Sequence, residues 1–144
     1  MPYTYEYPRP AFAADCVIFG KDETDDLKVL LIKRGNDPFQ GHWALPGGFV
    51  DENEAVEEAA NRELAEETGV TSVAMKLLGV YSKPGRDPRG WVISVAFFTT
   101  VNIADCTVVA GDDATQAEWV RVSDVDQMAF DHLEILQQAL AKLG

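Results

Sequence analysis

Residues 54–68 place the strongest constraint on the fold, because they contain neither proline nor glycine and consist largely of Ala, Glu and Leu. Such a composition favours an α-helix. Gly69 follows it, at the position where a helix commonly ends in a left-handed residue. A second helix is predicted over residues 130–143, where leucines recur at helical spacing. This one-sided pattern indicates a helix that packs on a sheet.

Several other segments are apolar and rich in β-branched and aromatic residues, which favour strands. Pro46-Gly47-Gly48 is predicted to stop the third of these strands. Strands mixed with two main helices predict a helix–sheet–helix sandwich, and a β-rich domain with unrelated helices is the alternative. The predicted strands cover 14–19, 29–32, 43–45, 72–82, 91–101 and 117–122, and the predicted loops cover 21–26, 35–41 and 83–90.

The formal net charge of -12 should repel nucleic-acid phosphates, because the basic residues are few and scattered. No apolar run approaches the roughly 20 residues that span a bilayer, and residues 1–10 do not resemble a secretion signal. Cys16 and Cys106 are interpreted as reduced core residues. We therefore expect a cytoplasmic protein with one domain over residues 1–144, an N-terminal arm over 1–10, and no nucleic-acid or membrane partner.

Three glutamates in the first predicted helix suggest a cation site. Glu63, Glu66 and Glu67 stand at i, i+3 and i+4, which places them on one helical face. Their charges repel each other, and the last turn of a helix disfavours anions. Mg²⁺ would supply the missing positive charge, since it binds through a few carboxylates, waters and substrate phosphates. The alternative is a solvated acidic face.

The residues around this helix support the cation site. Gly47 and Gly48 allow the backbone to turn tightly or to approach a ligand closely, and the helix begins a few residues later. Arg62 carries a planar fork that can hold a carboxylate. We expect Arg62 to orient a glutamate, with Glu54 eight residues before it, rather than to bind substrate.

Together these residues carry a family resemblance. Gly48, Glu54 and the run from Arg62 to Val70 (RELAEETGV) resemble the Nudix box, GX5EX7REUXEEXGU, in which U is aliphatic and every fixed position is filled. The resemblance implies an α/β fold of the α+β type, a Nudix-like helix–sheet–helix sandwich with a mixed β-sheet. It also implies a hydrolase that cleaves the pyrophosphate of a nucleoside diphosphate derivative.

The same resemblance implies a metal site and a catalytic base. Glu63, Glu66 and Glu67, with the carbonyl of Gly47, should ligate Mg²⁺, for which Mn²⁺ can substitute. The base that activates water varies within the family, and is either a box glutamate such as Glu66 or an acid on a later loop. The later acids here are Asp112 and Asp113, for which an ordinary Asp-Gly turn is an equal alternative, and Glu118 is a weaker candidate.

The loop at 83–90 (KPGRDPRG) suggests where the substrate binds. Arg86 and Arg89 carry forks that suit phosphate oxygens, and the alternative is a surface hairpin with solvated charges. Pro84, this loop and the phrases around 110–114 and 129–132 resemble the ADP-ribose branch of the family. The implied reaction converts ADP-ribose and water to AMP and ribose 5-phosphate.

Other residues are weaker candidates for contacts with a nucleotide. Arg34 is a candidate phosphate contact, and the alternative is a solvated charge at the end of a strand. Phe39 and Trp43 are candidates to stack on adenine, and the alternative is that they belong to the core or anchor a loop. His132 is interpreted as a cap or packing residue. The N-terminal tyrosines (Tyr3, Tyr5 and Tyr7) suggest packing across a homodimer, and a loose tail is the alternative.

Two alternative functions remain open from the sequence. The substrate is either ADP-ribose or another small nucleotide, such as NADH or a damaged nucleoside triphosphate. A non-catalytic ADP-ribose sensor is the alternative from a different class, although sensing alone would not require three closely placed carboxylates.

Overall fold

The computed structural model describes residues 4–111 and 114–143. Within these ranges it contains seven strands and two α-helices, with short 3-10 turns at Ile103–Asp105 and Val122–Asp124. The elements are β1 (Ala11–Lys21), β2 (Lys28–Arg34), β3 (Trp43–Ala44), β4 (Gly47–Phe49), α1 (Val56–Thr68), β5 (Lys76–Tyr81), β6 (Val92–Asn102), β7 (Ala114–Arg121) and α2 (His132–Leu143).

The seven described strands form one mixed sheet. Its main path runs β3-β2-β1-β6-β5, while β4 pairs with β1 and β7 pairs with β2. The pair β1 and β6 is parallel, and the other pairs are antiparallel. The mixed sheet implied by the family resemblance is therefore confirmed.

The central strand β1 is buried on both faces, and each face meets a different helix. Because side chains alternate along a strand, Cys16 and Ile18 pack toward Ala60 and Leu64 of α1, while Val17 and Phe19 pack with Ile135, Leu136 and Ala139 of α2. Each large apolar side chain buried here contributes roughly 1.5–3 kcal/mol. The predicted helix–sheet–helix sandwich is confirmed.

The ends of α1 follow from local hydrogen bonds. The Glu58 side chain accepts a hydrogen bond from the Ala55 N–H at 3.2 Å, which caps the first turn. At the other end, Gly69 has φ 77° and donates to the Ala65 carbonyl, as predicted. The helix begins at Val56 rather than at Glu54, because Glu54 lies in a turn closed by its N–H to the Asp51 carbonyl.

Some strand boundaries differ from the predictions. The third strand ends at Ala44, before Pro46, as predicted. The glycines that follow do not remain a loop: Gly47–Phe49 forms a further short strand, β4, which pairs with β1 so that Gly47 lies opposite Asp15. The predicted strand at 72–82 is shorter, Lys76–Tyr81. No helix in the described ranges is both long and apolar enough to cross a membrane. Cys16 and Cys106 are both free thiols, as predicted, although Cys106 is only partly buried.

Candidate active site

The acidic face of α1 lies against β4. The Glu67 side chain is 6% exposed, and its Oε1 accepts a hydrogen bond from the Gly47 N–H at 2.8 Å. A buried carboxylate needs such partners to remain charged. The contact fixes the last turn of α1 to the strand that carries the two glycines.

The two glycines are required by close packing rather than by a turn. A Cβ at Gly48 would lie 2.6 Å from the Glu63 carboxyl carbon, and a Cβ at Gly47 would lie 2.3 Å from the Ala14 carbonyl oxygen. At Gly47 the contact is with backbone, which cannot move aside, so only glycine fits there. At Gly48 the contact is with the end of the Glu63 side chain, so a larger residue would displace the Glu63 carboxylate from its place beside β4.

Arg62 joins most of the acidic residues of this region. Its Nε and Nη2 donate to the two Glu54 carboxylate oxygens at 2.7 and 3.0 Å. Its Nη1 donates to Glu63 at 2.8 Å and lies 3.3 Å from Glu66. The Arg62 guanidinium lowers the pKa of Glu54, and the Glu54 carboxylate in turn raises the pKa of Arg62. The expected contact between Arg62 and a glutamate is present.

A cavity of about 350 Å³ opens beside this network. Glu63 and Glu67 line it from the helix, while Arg34 and Arg89 line it from β2 and the 83–90 loop. Glu66 does not line it, and its side chain is 41% exposed. Both carboxylates and guanidinium groups therefore line the same cavity. The remaining lining residues are Ile32, Gly35, Asn36, Asp37, Gly47, Gly48, Phe49 and Asp51.

The carboxylates fit a hard divalent cation only in part. The oxygens of Glu63 and Glu67 are the ligand type that Mg²⁺ prefers, and Gly48 leaves room for the Glu63 carboxylate beside β4. Across residues 4–111 and 114–143, however, no group of three or more His, Cys, Asp or Glu side chains is close enough to hold an ion. Ligation by Glu63, Glu66, Glu67 and the Gly47 carbonyl therefore stays a prediction.

The two arginines of the 83–90 loop have different surroundings. Arg86 is 4% exposed at its side chain, and its Nε and Nη2 donate to both Asp131 oxygens at 2.8 and 2.6 Å. Arg89 pairs with Asp87 at 2.7 Å and is 36% exposed. Although burial pushes the pKa of Asp87 up, hydrogen bonds from Arg89 lower it overall. Arg86 is therefore a buried residue fixed by Asp131, whereas Arg89 lines the 350 Å³ cavity.

Aromatic rings support these arginines. The Arg89 guanidinium carbon lies 4.7 Å from the Phe49 ring centroid and 4.9 Å from that of Phe130. Arg34 lies 5.0 Å from the Phe130 centroid, and its Nε donates to the Pro38 carbonyl. At these distances the aromatic faces attract the guanidinium charges and help to hold both side chains beside the cavity. Phe49 and Phe130 were not singled out from the sequence, because an aromatic residue next to a loop is more often part of the core.

The other predicted contact residues lie elsewhere or outside the described ranges. Phe39 packs on Phe130 at 4.8 Å between ring centroids, and Trp43 lines a separate hollow with Lys33. Neither lines the 350 Å³ cavity. Asp112 and Asp113 lie outside the described residues. Glu118 lies on β7, opposite Leu31 of β2.

Two buried polar residues lie close to each other beneath the site. His132 is 6% exposed, its Nδ1 accepts a hydrogen bond from the Leu45 N–H at 3.0 Å, and burial lowers its pKa. Its Nε2 lies 3.8 Å from Oδ1 of Asp15, which is 5% exposed. The packing role predicted for His132 fits this position. Asp15 was missed, although a lone acid within an apolar strand was a usable signal.

Comparisons with known proteins show what the chain is similar to. The family model of the NUDIX domain matches residues 9–139. The chain is 48% identical over 131 residues to an ADP-ribose pyrophosphatase of Methanocaldococcus jannaschii, covering 91% of this chain and 73% of that protein. It is 37% identical to the ADPR responsive transcriptional repressor NtrR of Acinetobacter baylyi, covering 96% of this chain and 56% of the repressor. The NUDIX domain of Shewanella oneidensis NrtR, solved with ADP ribose, superposes with a TM-score of 0.89 at 33% identity, covering 96% and 91% of the two chains.

Proposed function

The chain belongs to the Nudix hydrolase family, and we propose that it hydrolyses ADP-ribose to AMP and ribose 5-phosphate. The observation that carries the proposal is the 350 Å³ cavity, which Glu63 and Glu67 line together with Arg34 and Arg89. Guanidinium groups suit phosphate oxygens. The 48% identity to an ADP-ribose pyrophosphatase supports ADP-ribose as the particular diphosphate.

Each residue has a defined task in this proposal. Glu63 and Glu67, with Glu66 and the Gly47 carbonyl, would hold Mg²⁺ or, in its place, Mn²⁺. When bound, the cation neutralises phosphate charge and makes a bound water more acidic. Arg62 keeps the Glu63 carboxylate at 2.8 Å and so orients it. Arg89 and Arg34 bind the phosphates. Arg86 fixes the loop that carries Arg89. Phe39 and Trp43 remain predicted contacts of the adenine.

The reaction replaces one bond to phosphorus by another. The oxygen of water forms a bond to one phosphorus, while the bond from that phosphorus to the bridging oxygen breaks. A carboxylate accepts the proton that water loses. The candidates for that base are Glu66, Asp112 and Asp113, of which only Glu66 lies in the described residues.

Product analysis tests the proposal directly. The purified chain is incubated with ADP-ribose, with and without Mg²⁺, and the products are separated by chromatography. We expect equal amounts of AMP and ribose 5-phosphate with the cation and almost none in excess chelator. NADH and oxidised nucleoside triphosphates are run in parallel. A clear preference for either of these would replace ADP-ribose as the substrate, while the hydrolase class would stand.

An ADP-ribose sensor is the second candidate, since the chain is 37% identical to a repressor that responds to ADPR. Binding of ADP-ribose at micromolar concentration, with no turnover in Mg²⁺ or Mn²⁺, would favour the sensor. Turnover at an ordinary enzymatic rate of about 1 s⁻¹ or more would favour the enzyme.

We further propose the cellular setting of the chain. Residues 1–144 form one domain with an arm at 1–10, and the protein acts in the cytoplasm on a small nucleotide. The net charge of -12 disfavours binding to nucleic acid, and a filter-binding assay with duplex DNA at low salt tests this. Tyr5 and Tyr7 are exposed, which supports a homodimer formed through the arm, while Tyr3 lies outside the described residues. Sedimentation of the chain with and without residues 1–10 tests this homodimer.

A further inference from the structure

A buried carboxylate lies where the central strand passes beneath the candidate active site. Asp15 is on the face of β1 that Val17 and Phe19 share, and that face packs toward α2. It is 5% exposed. Its Oδ2 has no hydrogen-bond partner within residues 4–111 and 114–143. Buried polar atoms nearly always have a hydrogen-bond partner, so the unpartnered Oδ2 indicates a position where a ligand group can donate a hydrogen bond.

The protein pays a cost in stability for this carboxylate. Burying a charged group without a partner is strongly unfavourable, whereas an apolar side chain of similar size would add to the core that surrounds it. Neighbouring Ala14 and Cys16 are fully buried and apolar. The Arg86 guanidinium lines the same recess and interacts electrostatically with Asp15, which offsets part of this cost. Oδ2 still has no hydrogen bond within residues 4–111 and 114–143, and this part of the cost has no structural compensation.

The carboxylate faces a small recess of about 50 Å³. Arg34, Gly47, Gly48, Phe49 and Arg89 line both this recess and the 350 Å³ cavity, so the recess adjoins the proposed substrate cavity. A cavity of this size accepts one water-sized group and is too small for a sugar or purine ring. The recess can therefore receive a single substituent of a larger ligand.

His132 completes the polar lining of the recess. Because its Nδ1 accepts the Leu45 N–H, the proton of the neutral ring lies on Nε2. Nε2 is 3.8 Å from Asp15 Oδ1, which is too far for a direct hydrogen bond. A group that enters here thus meets an acceptor on Asp15 and a donor on His132.

The chemistry of the lining selects among possible occupants. A phosphate oxygen would be attracted by Arg34, Arg86 and Arg89, but an ionised phosphate has no proton to donate and would leave Asp15 Oδ2 without a hydrogen bond. A cation would be repelled by the same three arginines. A sugar hydroxyl is neutral, and it both donates and accepts. An exocyclic amine of a base only donates, and so it would leave the His132 N–H unused.

We propose that Asp15 is a specificity residue that accepts a hydrogen bond from a ribose hydroxyl of the substrate, with His132 donating to the same hydroxyl. This inference rests on the proposed function, since it assigns a subsite to the same substrate. ADP-ribose has two riboses, and the shared chemistry is their hydroxyl groups. The experiment below distinguishes the adenosine ribose from the terminal ribose.

The test compares substrates and variants in one cycle. kcat/KM is measured for ADP-ribose, for its 2′-deoxyadenosine analogue and for analogues that lack one hydroxyl of the terminal ribose, with wild type, Asp15→Asn and Asp15→Leu. In wild type, one analogue should lose about 10- to 100-fold, the range of a hydrogen bond to a charged group. In Asp15→Leu the same loss should shrink to within about threefold, by the usual logic of such cycles. A ratio between substrates cancels any loss of folded protein, so a merely structural role would not change it.

Controls separate this inference from the proposed function. Asp124→Asn, an exposed acid with a side chain 64% exposed, should keep the wild-type ratios. If wild type hydrolyses ADP-ribose and every deoxy analogue equally well, the subsite is wrong and the hydrolase stands. If the inosine analogue loses instead, the occupant is the base amine and the inference is overturned.

Binding without turnover covers the remaining outcome. If wild type does not hydrolyse ADP-ribose, the proposed function is wrong. Calorimetry without divalent cation then measures Kd for ADP-ribose and for each deoxy analogue, and the ratio of these Kd values replaces the ratio of kcat/KM values. Equal Kd values, or no binding, would overturn the subsite as well. The melting temperature of ligand-free Asp15→Leu should equal or exceed that of wild type, because an unpaired buried acid is removed. A large drop combined with unchanged hydroxyl discrimination would indicate a water-filled structural site and would reject the proposal.

Discussion

Arg62 holds both carboxylate oxygens of Glu54, with Nε at 2.7 Å and Nη2 at 3.0 Å. The pair connects the turn before α1 to the second turn of the helix, and the same guanidinium reaches the Glu63 carboxylate at 2.8 Å. Because Nη2 also donates to the Phe49 carbonyl at 3.0 Å, the arginine fixes strand, turn and helix together. It therefore sets the position of an acid that lines the cavity without lining that cavity itself.

Replacing Arg62 by Lys should lower activity while the fold is kept. A lysine supplies one point charge and cannot bind Glu54 with two parallel hydrogen bonds and reach Glu63 as well. Loss of such a supporting contact typically costs about 10- to 100-fold in activity or metal affinity. The measurement is kcat/KM together with the apparent affinity for Mg²⁺. Arg121→Lys is the matched control and should behave as wild type, because Arg121 is exposed and its ion pairs with Asp26 and Asp124 are long, 3.7 and 3.8 Å.

The sequence predicted the layers of the fold because periodicity reports them directly. The helix at α1 has no breaker, and the strand β1 reads as a continuous apolar run because helices cover both of its faces. The short strand β4 was missed because glycine normally weakens a strand. Glycines occur in β4 because Ala14 and Glu63 approach the strand closely. These two residues are distant from β4 in sequence, so no local sequence pattern predicts the contact.

The site was predictable only where its residues stand close in sequence. Arg62 and the acids of α1 share one helix, so their spacing revealed their common face. The different tasks of Arg86 and Arg89 depend on Asp131 and Phe130, more than 40 residues further along. Asp15 and His132 lie at opposite ends of the chain and meet only through the packing of α2 on β1.

Gly48→Ala should reduce activity more than stability. The added Cβ would meet the Glu63 carboxylate at 2.6 Å, and this side chain must move away from the cavity to relieve the contact. We expect kcat to fall at least about tenfold, since small misplacements at a site cost this much or more. The control is Gly79→Ala in β5, where the nearest atom would be 3.9 Å away. Equal kcat for the two variants would contradict the predicted position of Glu63.

Glu67→Gln should lower turnover by about 10³-fold, the scale of a lost electrostatic contact at a reacting centre. Glutamine keeps an oxygen that can accept the Gly47 N–H, so the packing of α1 on β4 survives. Turnover is measured with ADP-ribose and Mg²⁺, and circular dichroism checks the fold. Glu57→Gln, on the exposed part of the same helix, serves as the control. Hydrolysis by Glu67→Gln near the wild-type rate would count against the proposed metal site.

Arg86→Ala should lower the free energy of unfolding, whereas Arg89→Ala should weaken substrate binding. Arg86 is a buried partner of Asp131, and breaking such a pair costs about 3–5 kcal/mol in the free energy of unfolding. Arg89 is partly exposed beside the cavity, so its loss should raise KM for ADP-ribose and change stability little. Urea unfolding and steady-state kinetics on both variants give the comparison. A stable Arg86→Ala variant with a raised KM would reverse the two assignments.

His132 should make stability depend on pH between neutral and mildly acidic conditions. Burial lowers its pKa in the folded state below the ordinary value of about 6.5. Asp15 and Asp131 oppose this shift, while Arg86 and Arg34 add to it. The unfolded chain therefore binds a proton at a higher pH than the folded chain does. By linkage, the contribution of His132 is fully present above about pH 6.5 and is lost as the pH falls through the lowered pKa.

The variant His132→Asn isolates this contribution, because asparagine keeps an acceptor for the Leu45 N–H and does not titrate. The free energy of unfolding is measured by urea titration at several pH values from 7.5 to about 5, a range that spans the ordinary histidine pKa. Distant carboxylates contribute equally to both proteins, so the difference between wild type and variant reports the histidine together with its coupling to Asp15 and Asp131. We expect this difference to move against wild type as the pH falls. A difference that moves toward wild type would mean that the folded protein binds the proton more tightly, with His132 charged and paired to Asp15 instead of neutral and donating from Nε2.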